Sequence, residues 1–150
     1  MNIYKEASAD YKEIIFRAKE IGTGKWIFGC YAPFRVPFTK NEITHQMFTV
    51  GESSHTIDIT TLGRYSGFKD SNGYEIFEGD IIRDNLANAD KNLIIVFKEG
   101  CFCYSYEINA KNKKSLYYVP ISDREFGIVT ECCEIIGNIY DNQELLKGII

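Results

Sequence analysis

A chain of 150 residues, 45% hydrophobic and 25% charged, suits one globular domain able to bury about 68–70% of its unfolded surface. A net charge of −4 and an isoelectric point near 5.2 weigh against wholesale electrostatic binding of nucleic acid, and no apolar run approaches the ~18 residues of a membrane helix. Five cysteines are an odd number, and the first residues lack a secretory core, so the expectation is a reducing cytoplasm with free thiols.

In chain order, residues 1–11 are a polar lead-in, and residues 12–60 read as a hairpin followed by a flap. Residues 12–19 alternate, with Ile14, Phe16 and Ala18 against Arg17 and Lys19, which is strand periodicity. Gly22-Thr23-Gly24 supplies a turn, and residues 25–31 return as a second strand with Trp26, Phe28 and Cys30 on one face. Residues 32–54 hold Pro33 and Pro37 and little periodicity, so they read as an irregular flap. Residues 56–60 regain strand character, and 62–65 suggest a helical turn.

Residues 61–140 read as a meander feeding a barrel. Asp70-Ser71-Asn72-Gly73 is turn chemistry, since Asn and Gly accept positive φ and the Asp carboxylate can bond the backbone two residues on. Glu78-Gly79-Asp80 makes a second turn, and Ile81-Ile82 opens a buried strand. Two turns this close leave no room for a helix of useful length. Further strands follow at 92–98, 101–108, 115–120 and 130–140. Strands at this spacing, joined by short turns, predict a mainly β fold with an SH3-like small barrel from about residue 79 to 140. Asp141, with Glu144 three residues on, predicts a capped short helix over 141–150. Aromatics at 14%, ten Tyr and ten Phe among them, fit pleated surfaces.

Three pieces of this chain resemble the YopX family of phage and prophage proteins. The central one is Gly63, Tyr65, Ser66-Gly67-Phe68-Lys69-Asp70, Asn72-Gly73, Glu75-Ile76 and Glu78-Gly79-Asp80-Ile81-Ile82; Ser66 and Phe68 replace the usual Thr and Leu. The others are Phe16-Arg17-Ala18 with Trp26 and Gly29, and Glu134-Ile135-Ile136-Gly137-Asn138-Ile139-Tyr140. The resemblance spans roughly residues 14 to 146. It implies an accessory protein of a bacterial host cell that self-associates, and it carries no established activity to assign to particular residues.

Candidate chemistry is sparse. Cys101 and Cys103 share a strand face and could meet one metal, but adjacent Cys132 and Cys133 point to opposite faces, so free buried thiols are the stronger reading. His45 and His55, near Glu42, Glu52 and Asp58, are the sole candidates for acid–base work, and ten residues of irregular chain separate them. Asp70-x-Asn72-Gly73 has its glycine too early for a calcium loop. No phosphate-binding loop, dinucleotide fingerprint or serine-nucleophile motif is present.

Basic residues cluster at Arg17, Lys19 and Lys25 and again at Lys111, Lys113 and Lys114. With Tyr104 and Tyr106 nearby, the second cluster is a candidate single-strand nucleic-acid face. Leu145, Leu146, Ile149 and Ile150 form an apolar tail suited to oligomer contacts. The reading is a non-enzymatic binding or self-assembling module without cofactor, metal or membrane, whose partner is another copy or an unknown protein. The alternatives are a single-stranded nucleic-acid regulator and an enzyme built on His45 and His55. The structural turns fall at Asp70, Asn72, Gly73, Gly79 and Asp80.

Overall fold

The computed structural model describes residues 15–49, 51, 53–84, 92–110, 113–122 and 132–147, with the side chains of 106–110 and 113–114 excepted. Ten strands account for nearly all of its regular structure. They are β1 (Phe16–Glu20), β2 (Trp26–Arg35), β3 (Ile43–Phe48), β4 (Ser54–Lys69) and β5 (Glu75–Phe77), then β6 (Asp80–Asp84), β7 (Asn92–Lys98), β8 (Cys101–Ala110), β9 (Lys113–Pro120) and β10 (Cys133–Asn138). The fold is mainly β, built from two five-stranded antiparallel sheets ordered β1-β2-β3-β4-β5 and β10-β6-β7-β8-β9. The contacts group into two compact units, Met1–Leu62 and Gly63–Ile150, with β4 contributing to both.

The N-terminal unit is a partial ring, because β1 pairs with β4 as well as with β2. Alternation explains it. Ala18, Met47 and Ile57 are buried from one face of their strands, and Phe16, Ile27, Tyr31 and Leu62 pack against them. Met47 and Ile57 at about 1.5–3 kcal/mol each, with the Ala18 methyl at about 0.8 kcal/mol, make a small core. Backbone closure therefore matters: the Ile21 amide donates to the Thr56 carbonyl at 2.9 Å, and the Lys19 amide to the Thr61 hydroxyl at 2.8 Å.

Residues 32–54 are more regular than their prolines suggest. β2 continues through Pro33 to Arg35 and pairs with β3, Pro33 opposite His45. Among the described residues β1 pairs with β2 from Trp26 to Gly29, and Pro33 takes its place in the ladder with β3. The helical turn expected over 62–65 is absent: β4 runs unbroken through it. Gly63 permits this, because a Cβ there would lie 2.6 Å from the Glu78 carbonyl oxygen, and the neighbouring Arg64 carbonyl accepts the Glu78 amide at 2.9 Å.

In the C-terminal unit, β6 to β10 supply the five strands expected between residues 79 and 140. The last strand lies beside the first, which is the order of a small barrel meander. Ile76, Ile82, Leu93, Ile95, Tyr104, Ile121 and Cys133 form its core. A register shift between Ile135 and Gly137 bends β10 against β6. The predicted C-terminal helix is a single 3-10 turn over Gln143–Leu146. Asp141 does not cap it. Asn142 takes that position with no side-chain cap bond, while Asp141 instead accepts from the Asn138 side-chain amide at 3.1 Å.

Candidate functional site

The turn residues are the best-defined polar group. Asp70 is 5% exposed, and its carboxylate accepts three backbone amides. One oxygen takes those of Asn72 and Tyr74, both at 2.9 Å, and the other takes that of Ile135 at 3.1 Å. The Ser71 amide donates to the Cys133 carbonyl at 2.8 Å, so the turn and β10 are laced together. Gly73, at φ 83°, supplies the left-handed residue that the turn needs. Asp80, 1% exposed, accepts the Phe77 amide at 2.7 Å, and Gly79 at φ 88° lies so close to Tyr140 that a Cβ would meet its ring at 3.1 Å. These carboxylates hold backbone. They are not presented to a ligand.

The two histidines each have a separate partner. His45 Nδ1 lies 2.8 Å from the Tyr31 hydroxyl, with the rings stacked at 5.9 Å. His55 Nδ1 lies 2.7 Å from Glu20 Oε1. Met47 faces both Tyr31 and His55 across the ladder, so an apolar side chain stands between the two pairs. A hydrogen bond from Thr23, then one from His55, holds the Glu20 carboxyl below its usual range. The arrangement fastens β1 to β4.

Of the five thiols, Cys103 and Cys133 are buried. Cys101 and Cys103 do share a face, with their sulfurs 3.6 Å apart. Burial pushes the Cys103 thiol up to about 11, with the Cys101 hydrogen bond adding to it. Burial, and then the charge of Asp84, pushes Cys133 up to about 12. Such groups are neutral at ordinary pH and poor nucleophiles. Among the described residues no group of three or more His, Cys, Asp or Glu is placed to hold a metal ion.

The candidate nucleic-acid face is not assembled as the sequence suggests. Tyr104 is 6% exposed and belongs to the core, so its ring is not offered to a base. Tyr106 pairs with Tyr117 and Lys114 with Asn109 along the β8–β9 ladder, which runs on to Lys113. The side chains of Tyr106, Lys113 and Lys114, and all of Lys111, lie outside the described residues. In the tail, Leu145 and Leu146 are half-buried in the 3-10 turn, where the Leu145 carbonyl accepts from the Asn92 side chain at 3.0 Å. Ile149 and Ile150 lie outside the described residues.

What sequence reasoning missed is the outer row of the N-terminal unit. Cross-strand partners share a face, so Arg17 with Phe28, Lys19 with Trp26, Cys30 with Phe48 and Phe34 with Thr44 lie on the face opposite Ala18 and Met47, where Arg17 is nonetheless buried at 8% exposure. Phe28, Phe34 and Phe48 are 49%, 46% and 37% exposed. The alternation of Trp26, Phe28 and Cys30 was legible; that these rings face outward was not. The signal was Lys19 in the facing row, half-buried beside Trp26.

The family model described as YopX protein matches residues 16–147. No functionally curated protein is similar enough to this chain to match it. With a match across nearly the whole chain, the chain belongs to the YopX family.

Proposed function

We propose that this protein is a non-enzymatic binding module of phage or prophage type, self-associating in the cytoplasm of a bacterial host. The observation that carries the reading is the row of exposed rings on β2 and β3, since contiguous apolar surface of this kind marks an interaction site. The polar groups support it from the other side. Asp70 and Asp80 are committed to backbone amides, both histidines to structural partners, and Cys103 and Cys133 to the neutral state.

Self-association has its own surface in the C-terminal sheet. Among the described residues β9 is an edge strand, and it keeps Leu116, Tyr117 and Tyr118 exposed. An uncovered edge with apolar side chains is a template for pairing with another chain. Family membership supports the phage-type setting. Among the described residues, no helix is long and apolar enough to cross a membrane.

Native mass spectrometry on untagged protein from a gentle lysate tests the reading. A mass at an integer multiple of 17.2 kDa, or a stoichiometric partner, is the expected result. A bare monomer at every concentration, with chemical turnover of a co-purifying small molecule, overturns it.

A further inference from the structure

Two nucleophilic side chains of β8 are held in contact and have no part in the reading above. Cys101 and Cys103 share one face of the strand, with their sulfurs 3.6 Å apart. Their surroundings differ. Cys103 is 4% exposed and sits in the ladder between Val96 of β7 and Pro120 of β9. Cys101 is half-buried and opens β8, facing Lys98 across a two-residue turn. Glu99 and Gly100 make that turn at φ 52° and 85°, and both are exposed. The Cys101 thiol donates to the Lys98 carbonyl at 3.5 Å. One sulfur is therefore open to solvent at a hairpin tip, and the second waits behind it in the sheet. Lys98 and Glu99 flank the pair with opposite charges, so the local field does not single it out. The contact between the sulfurs does.

We propose that Cys101 and Cys103 are a reversible oxidation site, which closes to a disulfide when a hydroperoxide reaches Cys101. The proposal is independent of the binding-module reading. The chemistry takes two steps. The Cys101 thiolate attacks the outer peroxide oxygen: an S–O bond forms, the O–O bond breaks, and the departing oxygen takes a proton. Cys101 is then a sulfenic acid. The Cys103 sulfur attacks the sulfenic sulfur: the S–S bond forms, the S–O bond breaks, and hydroxide leaves with the Cys103 proton as water. Both sulfurs are oxidised and the peroxide is reduced by the same two electrons. Burial sets the order of events. It pushes the Cys103 thiol up to about 11, which withholds that sulfur from an outside oxidant and leaves it to react with a sulfur already beside it.

The spacing makes the bridge strained. Residues two apart on a strand have Cα atoms about 6.7 Å apart, close to the upper end of what a disulfide spans. The sulfurs must also close from 3.6 Å to a bond of about 2.05 Å. Cys101 can supply this movement, because it adjoins the turn and its ladder partner Lys98 is the turn's other foot. A strained disulfide is easily reduced. That suits a site that rests as two free thiols and returns to them once the peroxide is gone.

Trypsin places both sulfurs in one peptide, Glu99–Lys111, apart from Cys30, Cys132 and Cys133. The folded full-length protein is treated at pH 8 with a small excess of hydrogen peroxide, unfolded, alkylated with iodoacetamide and digested. The expected peptide is about 2 Da lighter than the dithiol, carries no alkyl group and reverts with dithiothreitol. Cys101→Ser should leave Cys103 unoxidised in the folded protein, because no sulfenic acid forms beside it. Cys103→Ser should instead drive Cys101 to the sulfinic acid, a gain of about 32 Da. Circular dichroism confirms that each variant folds; if the buried Cys103→Ser change unfolds the protein, the wild-type and Cys101→Ser results decide. A wild-type peptide that keeps two free thiols while exposed Cys30 oxidises overturns the proposal. So does a wild-type gain of about 32 Da with Cys103 still free, since the second sulfur then never reaches the first. A Cys103 that oxidises as fast in Cys101→Ser as in wild type overturns the assigned order and with it the site.

Discussion

Asp70→Ala is the most informative single change in the C-terminal unit. The native carboxylate accepts three amides, from Asn72, Tyr74 and Ile135, at 2.9, 2.9 and 3.1 Å. Hydrogen bonds to a charged acceptor contribute about 1.5–3 kcal/mol each, which sets a ceiling of roughly 4.5–9 kcal/mol. Asn72 and Tyr74 are exposed, so water can take over their amides when the side chain is removed. Ile135 is half-buried in β10 and recovers less. The expected loss is therefore about 3–4 kcal/mol, a large share of an ordinary domain's stability. Asp70→Asn should cost less, about 1.5–3 kcal/mol. Whichever way its amide turns, one set of N–H groups then faces an NH2. Urea unfolding gives the loss, and hydrogen exchange locates it, with the Ile135 amide losing more protection than those of Asn72 and Tyr74. If Asp70→Ala costs below about 1 kcal/mol, solvent replaces the carboxylate fully and the account of the laced turn is wrong.

Gly63→Ala should destabilise by about 1–3 kcal/mol, since its Cβ would meet the Glu78 carbonyl oxygen at 2.6 Å; an unchanged denaturation midpoint would show that β4 and Glu78 separate without cost. Glu20 has a depressed folded pKa, so its contribution is present above the usual 4.5 and is lost as pH falls through the lower folded value. Acid unfolding followed by Trp26 emission should accordingly start at higher pH for His55→Asn, and the wild-type onset in that variant would refute the link. At pH 8 iodoacetamide should modify exposed Cys30 in the folded protein while Cys103 and Cys133 react only after unfolding, as read by peptide mass. Because Cys133 is raised from 9.0 to about 12, its contribution is complete below pH 9 and is lost as pH rises towards 12. Cys133→Ala should flatten that alkaline limb.

The C-terminal unit was legible because its signals are local. Asn72-Gly73 and Glu78-Gly79-Asp80 specify turns through glycine φ and short side chains, and Ile81, Leu93 and Ile95 mark strands by burial pattern. The second bond of Asp70 was not legible, because Ile135 is sixty-five residues away and nothing in the turn announces it. Strand β3 and the far half of β2 were obscured by Pro33, whose cost depends on which neighbour a strand has. Asp141 was a sound cap for a helix that never forms: Asn138 accepts the Tyr140 and Asp141 amides at 3.0 Å, which fixes a turn there instead. Alternation located Tyr104 and Phe28 on strand faces equally well. It could not say that one face is core and the other outside, since that depends on which strands close over it.

That difference divides the two units by consequence. Around β5, β6 and β10, buried carboxylates and close-packed glycines serve the backbone, so substitutions at Asp70, Asp80 or Gly79 should remove folded protein before they alter any function. Along the outer row, Phe28 and Phe34 stay exposed at 49% and 46%, and keeping two such rings half in water works against solubility. A surface retained against that physical disadvantage is best explained by a ligand that covers it. Phe28→Ser and Phe34→Ser should therefore leave the unfolding midpoint within about 0.5 kcal/mol of wild type while abolishing capture of that ligand. If both variants instead unfold readily, the rings belong to the fold and the binding site must be sought along β9.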